Sequence, residues 1–241
     1  MKIKSIPAKS VSYGGTRKLT SVKAIVIHYT GNNGDTAENN GRYFAGSNTR
    51  AAGAHFFVGQ DGSVVQSIDM ERIAWAVGGS KYSNCAQTGG GKYYGTYTNA
   101  NTVSIELCDN ATKDPSDKQV KAVKQLIKYI RKQCTNAKKV IRHFDVNGKS
   151  CPGRMCSDSA WNNFLSRIGE ASVTETVATS DSYKVRITAD VLNVRIGPGT
   201  SYSVATQVKN GEVYTIVSEA SGWGKLKSGA GWIKLSYTKK V

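Results

Sequence analysis

The chain contains three histidines, His28, His55 and His143, and two of them stand where a metal ion could be held. His28 closes the apolar run KAIVIHY at residues 23–29, where a side chain can leave the end of a buried strand and enter a cleft. His143 and Cys151 share the segment RHFDVNGKSCPG, with seven residues between them. A loop of that length can bring an imidazole and a thiolate to one ion, with the distant His28 as a third ligand. Zinc accepts both ligand types, and three protein ligands leave a fourth position for water, which is the arrangement of a catalytic site. Taken singly, each histidine reads equally well as a hydrogen-bonded core residue, and Cys151 alone as a buried thiol.

These groups need elements to hold them. Residues 23–29 read as a strand buried on both faces, and residues 36–44 suit a helix. Residues 55–58 and 63–67 flank Gln60-Asp61-Gly62, a hairpin signal. Residues 102–107 (TVSIEL) make another buried strand. The clearest helix follows, with Asp114 as N-cap, Pro115 at its first position and Asp117 in its acidic first turn. Val120, Val123, Ile127, Ile130 and Cys134 form its apolar stripe, with lysines on the other side. Residues 139–142 lead into the His143 motif, and a last helix spans about 159–168. Mixed strands with covering helices make residues 1–169 an α/β domain. Residues 170–182 (EASVTETVATSDS) are small, polar and aperiodic, and read as a linker. In residues 183–241, short β-branched runs are broken by Gly197-Pro198-Gly199, Asn210-Gly211 and Ser221-Gly222, the pattern of a small all-β barrel.

Composition narrows the setting. The net charge is +16, of which residues 171–241 hold +4, so both parts are basic and a polyanionic partner is expected. Nucleic acid and the teichoic polymers of a bacterial wall both qualify on charge, but no zinc-finger, RNP or helix-turn-helix signature accompanies it. No apolar run is long enough to insert in a membrane, and the opening MKIKSIPAKSVSYGG lacks the apolar core of a signal peptide. The odd set Cys85, Cys108, Cys134, Cys151 and Cys156 suggests reduced thiols rather than a disulfide framework.

VIHYTGN, GAHFFVGQDGSVVQ, NTVSIEL and RHFDVNGKSCPG occur in that order. Over about residues 20–168 the chain thereby resembles the type-2 N-acetylmuramoyl-L-alanine amidases, a superfamily that includes the peptidoglycan recognition proteins, phage lysozymes of amidase type, recycling amidases and many endolysins. The resemblance implies a Zn2+ cofactor held by His28, His143 and Cys151, the last as in the phage lysozyme branch. It places Glu106 where the recycling branch has the acid that activates water, and Lys149 where a basic residue stabilises the transition state. Zinc lowers the pKa of bound water from 15.7 to about 7 and polarises the amide carbonyl. Glu106 would take a proton from that water and return it to the leaving amine, while Lys149 would offset the oxyanion.

One position departs from the phage branch. A catalytic tyrosine there precedes the second-motif histidine, whereas this chain has Ala54, which shifts the load to Glu106. His55 then orients a neighbour or sits in the core, or points into the site. Trp75 falls at a groove position of the family, either to stack on a sugar or stem peptide or to lie in the core. The Gly- and Tyr-rich stretch 89–101 is expected as a loop at the groove, with Tyr93, Tyr94 and Tyr97 as contacts.

The tail, with LNVR, GPG, TSY and a closing GWI, resembles a bacterial SH3 domain over about residues 183–238. That resemblance implies a module that holds a hydrolase on peptidoglycan or wall polymers, with a purely structural cap or dimerisation domain as the alternative. Tyr202, Trp223 and Trp232 are its candidate aromatic contacts, Trp232 being equally suited to the core. Together these features lead to a phage-type endolysin for a Gram-positive wall, made in the host cytoplasm without a signal peptide and acting on the wall after release. A host autolysin or remodelling amidase and a non-catalytic wall-binding protein are the alternatives.

Overall fold

The computed structural model describes residues 2–170, 182–195, 197–200, 202, 204–220 and 222–241, so the linker expected at 170–182 lies outside the described residues except at its two ends. The chain forms two compact units that part within that stretch. No helix among the described residues is long and apolar enough to cross a membrane.

Up to residue 170 the chain runs β1 (Lys4–Ser5), β2 (Tyr13–Thr16), β3 (Ala24–Tyr29), α1 (Ala37–Ala45), β4 (Phe56–Val58), β5 (Val64–Gln66), β6 (Arg72–Ala74), α2 (Cys85–Thr88), β7 (Thr102–Leu107), α3 (Asp117–Gln133), β8 (Lys139–Arg142), α4 (His143–Asn147) and α5 (Asp158–Ile168). The main sheet has the order β1-β5-β4-β7-β3-β8, while β2 and β6 pair separately. Strands β4, β7, β3 and β8 are mutually parallel, and β4 turns back into β5 as the expected hairpin.

Strand alternation divides the apolar residues between two faces. Ile25, Ile27, Val103, Ile105 and Leu107 share one core with Val123, Leu126, Ile127 and Ile130 of α3 and with Trp161, Phe164 and Leu165 of α5. Burying side chains of this size contributes about 1.5–3 kcal/mol each. Ala24 and Val26 join Val77, Tyr97, Ile141 and Val146 on the other face. Residues in phase with Val26 and Ser104, namely His28 and Glu106, therefore emerge on the face opposite α3.

Two local expectations change. Helix α3 starts at Asp117 with Ser116 as its cap, its hydroxyl accepting from Gln119 N, and not with Asp114 as cap and Pro115 inside. Gln60 in the hairpin turn is the cause: its side-chain oxygen accepts from Ser116 N–H and its carbonyl from Ser116 Oγ, which holds Ser116 outside the helix. Tyr97, expected as a groove contact, is buried against Ala24, Val26 and Ile141, so stretch 89–101 does contribute to a core.

His55 takes the structural role. It is fully buried, and its Nδ1 accepts from the Ser104 N–H of β7. The ring proton is therefore on Nε2, which donates to the Arg72 carbonyl, with Arg17 Nη2 2.9 Å away. Burial, then the Arg17 charge, push this imidazole from its ordinary 6.5 down to about 3.

The second unit comprises β9 (Tyr183–Ile187), β10 (Val191–Arg195), β11 (Val204–Lys209), β12 (Val213–Ala220), β13 (Trp223–Leu226), β14 (Trp232–Lys234) and β15 (Thr238–Lys240). They pair antiparallel in the order β11-β10-β14-β13-β12-β9-β15 around Val185, Ile187, Val194, Ile216, Leu226 and Ile233. Gly231, at φ +138°, lets β14 close on β10, because a Cβ there would overlap the Arg195 carbonyl.

A depressed folded pKa makes His55 stabilising above pH 6.5, with that contribution lost as the pH falls towards 3. At pH 5 the loss is about 2 kcal/mol. Denaturant unfolding of wild type and His55→Gln at pH 7 and pH 5 should show that excess loss in the wild type alone; equal losses would mean that another group titrates.

Candidate active site

Three adjacent strands bring the polar groups together. His28 and Glu106 are register partners on β3 and β7, and Ile27 pairs with Arg142 of β8, which sets His143 next to His28. The two imidazole centroids lie 4.6 Å apart. One turn of helix, α4, carries the chain from His143 to Gly148, whose φ of +85° reverses its direction. Only glycine fits there, since a Cβ would overlap Cys85 Sγ. The loop then closes through Phe144 N–H donating to the Cys151 carbonyl at 2.7 Å, which returns Cys151 to the histidines. Cys151 Sγ sits 3.8 Å from His28 Nδ1, and one ligand atom each from His28, His143 and Cys151 lies within 4.8 Å of the others.

This donor set fits a metal ion. All three residues are buried, and His28 Nε2 and His143 Nδ1 have no hydrogen-bond partner. Burial, then the neighbouring ring and the Lys149 charge, hold His28 well below its ordinary value. Burial, then Lys149, push His143 down to about 4. Both rings are therefore neutral at pH 7, with lone pairs available. Burial and the Glu106 carboxylate push the Cys151 thiol well above its usual range, and a cation between the ligands would reverse that by favouring the thiolate.

Glu106 lies beside the trio. Its Oε2 is buried without a partner, and burial, partly opposed by the Lys149 charge, pushes its pKa up to about 7. A carboxyl that titrates near neutrality can accept a proton and return it. Lys149 itself is exposed, yet its charge acts on Glu106 and on all three ligands. Trp75 is neither core nor free-standing: it is 38% exposed and its ring edge lies against Gly14, where a Cβ would not fit. Tyr94 is 45% exposed and its hydroxyl donates to the Gly79 carbonyl.

Several supporting groups escaped the sequence reading. His143 Nε2–H donates to the Val77 carbonyl at 3.1 Å, which fixes the tautomer and leaves Nδ1 free. Asn147 Nδ2 donates to the same carbonyl at 2.8 Å, while its Oδ1 accepts from Lys149 N–H. Asn147 thus joins the orientation of a ligand to the position of Lys149, a role that its place between them in the motif could have suggested. Arg142 pairs with Asp145 at 2.7 Å, stacks between Phe144 and Trp161, and donates to the Met155 and Cys156 carbonyls, pinning the turn that starts at His143.

In the second unit, Leu192, Asn193, Arg195, Thr200, Trp223 and Lys234 line part of a pocket of about 380 Å³. Trp223 is only 5% exposed, so it forms pocket wall, whereas Trp232 is half-buried. Lys234 Nζ lies 5.6 Å above the Trp223 ring, and Arg195 Nη1 donates to the Tyr202 carbonyl.

Asn147→Ala should lower the affinity of the His28, His143 and Cys151 cluster for a divalent cation about 10-fold, read by competition with a chromophoric chelator. Unchanged affinity would mean that the Val77 carbonyl orients His143 unaided.

Comparison with known proteins agrees with this geometry. Residues 18–154 match the family described as N-acetylmuramoyl-L-alanine amidase, and residues 190–239 match the bacterial SH3 domain. The amidase CwlL of Bacillus licheniformis is 29% identical over 178 residues, 69% of this chain and 48% of its own. BlyA of Bacillus subtilis is 30% identical over 167 residues, 59% of this chain and 39% of its own. The chain thus spans less than half the length of these curated relatives. Among solved structures, PlyL matches with a TM-score of 0.56 at 23% identity, over 71% of this chain and 99% of its own. The catalytic domain of XlyA matches at 0.53 and 22% identity, over 70% and 100%. These structures share the fold of the first unit, and the family match over residues 18–154 shows that the chain belongs to the N-acetylmuramoyl-L-alanine amidases.

Proposed function

We propose that the protein is a zinc-dependent peptidoglycan hydrolase that cuts the amide between N-acetylmuramic acid and the L-alanine of the stem peptide. The observation that carries this reading is the buried, partnerless Glu106 oxygen beside three convergent ligand residues, on a carboxyl titrating near 7. His28, His143 and Cys151 would hold the ion, which when bound supplies Lewis acidity towards a water and the scissile carbonyl. Glu106 takes the proton of the attacking water and delivers it to the departing amine. Lys149 offers its ammonium to the oxygen that gains charge. Trp75 and Tyr94, exposed on the same unit, are the proposed contacts for sugar or stem peptide.

The second unit is proposed to anchor the enzyme on the wall through the pocket bounded by Trp223, with Tyr202 beside it. Anchoring raises the local concentration of a polymeric substrate without adding a catalytic group. A hydrolase with a wall-binding module suits an endolysin of phage origin acting on a Gram-positive wall.

Digestion of purified Gram-positive peptidoglycan tests the reading. Wild type should release free N-terminal alanine without new reducing sugar ends. Glu106→Gln should lose about 10²- to 10⁴-fold in turnover. Cys151→Ser and chelation should abolish activity, with zinc restoring only the chelated wild type. New reducing ends would identify a glycosidase instead, and wall binding without cleavage would identify a non-catalytic binding protein.

A further inference from the structure

The solvent face of α3 carries a feature that the catalytic reading does not use. Lys118, Lys121, Lys128 and Lys132 are all exposed, and at 100° per residue they fall within an arc of about 80°. They lie opposite the buried stripe of Val123, Leu126, Ile127 and Ile130, and span roughly 21 Å along the helix axis. Lys124 flanks them, near Gly169 at the end of α5. Among the described residues none of these lysines is in an ion pair. Two carboxylates close by have partners of their own: Asp117 pairs with Arg167 at 2.9 Å, and Asp61, on which the charge of Lys118 acts, accepts from Ser63.

Such a ladder is unfavourable for the helix itself. Neighbouring lysines three and four residues apart repel, and Lys118 sits at the positive end of the helix dipole. Helix α3 contains no glutamate to offset them. A face needed only for solubility would be served by mixed charges, so the uniform sign points to a partner.

We infer that the lysine ladder of α3 binds a linear phosphodiester polymer of the bacterial wall, a second wall contact separate from the SH3 pocket and on the sheet face opposite Glu106. The choice of wall polymer rests on the proposed function. A row of point charges matches a chain of regularly spaced phosphates better than one compact anion. Nucleic acid fits less well, because Tyr129 is the one aromatic on the exposed side of the helix and offers no stacking platform. A membrane surface fits less well because the apolar side of α3 is already buried in the core.

The test uses the full chain and soluble poly(glycerol phosphate), with affinity measured between 50 and 200 mM salt. Four phosphate contacts should give the wild type roughly a 50-fold loss over that range. Lys118/Lys121/Lys128/Lys132→Gln should bind at least 10-fold more weakly at low salt with a flattened salt dependence, and the corresponding Arg variant should bind like wild type. Should the quadruple variant not fold, Lys118/Lys121→Gln and Lys128/Lys132→Gln should each lose about half the salt slope. Turnover of a soluble muropeptide should be equal in folded variants and wild type; wild type without turnover would overturn the hydrolase reading while the polymer measurement stood. Equal polymer affinity and salt slope in wild type and Gln variants would overturn the inference. So would tighter, ladder-dependent binding to DNA or to anionic lipid vesicles.

Discussion

In-register parallel pairing of β7, β3 and β8 is the constraint on which the site depends. It sets Glu106, His28 and His143 side by side at the carboxyl ends of neighbouring strands, on the face that α3 leaves uncovered. Side chains alternate along a strand, so a slip of one residue in β3 would send His28 into the apolar core and Ile27 into the site. The fully buried Ile25, Ile27 and Ile105 oppose that slip. The same apolar residues that stabilise the sheet therefore also aim its polar ones.

Burial then sets the charge states. Removing His28 and His143 from water keeps them neutral, the state in which an imidazole can bind a metal, and raises Glu106 into the range where it can exchange a proton near pH 7. The same burial works against the Cys151 thiolate. Lys149, exposed two residues before Cys151, supplies positive charge to this apolar setting while keeping its own ammonium in water. Burial is the largest influence on all four groups, and Lys149 is the one side chain whose charge acts on each of them.

What could be read from the chain follows the range of the interactions involved. The runs containing His28 and Glu106, the apolar stripe of α3 and the His143-x7-Cys151 loop were legible because pattern and spacing within a few residues define them. The cap at Ser116 leaves no local signal, because its partner, Gln60, is 56 residues away. The Gly- and Tyr-rich neighbourhood of Tyr97 hides a ring that reaches Ala24 and Ile141. Strands β1, β2 and β6 are too short to show a period, and the Val77 carbonyl belongs to the backbone, which no residue type announces. In the second unit, Trp223 and Trp232 could be sorted only once the strands that carry them were placed.

The closure of the His143–Cys151 loop has one more consequence. Phe144 N–H to the Cys151 carbonyl, the buried Arg142–Asp145 pair and the turn at Gly148 all join residues of this one short segment to each other. A segment closed on itself in this way keeps His143 and Cys151 at a fixed separation, so only its placement against β3 remains for the sheet to set.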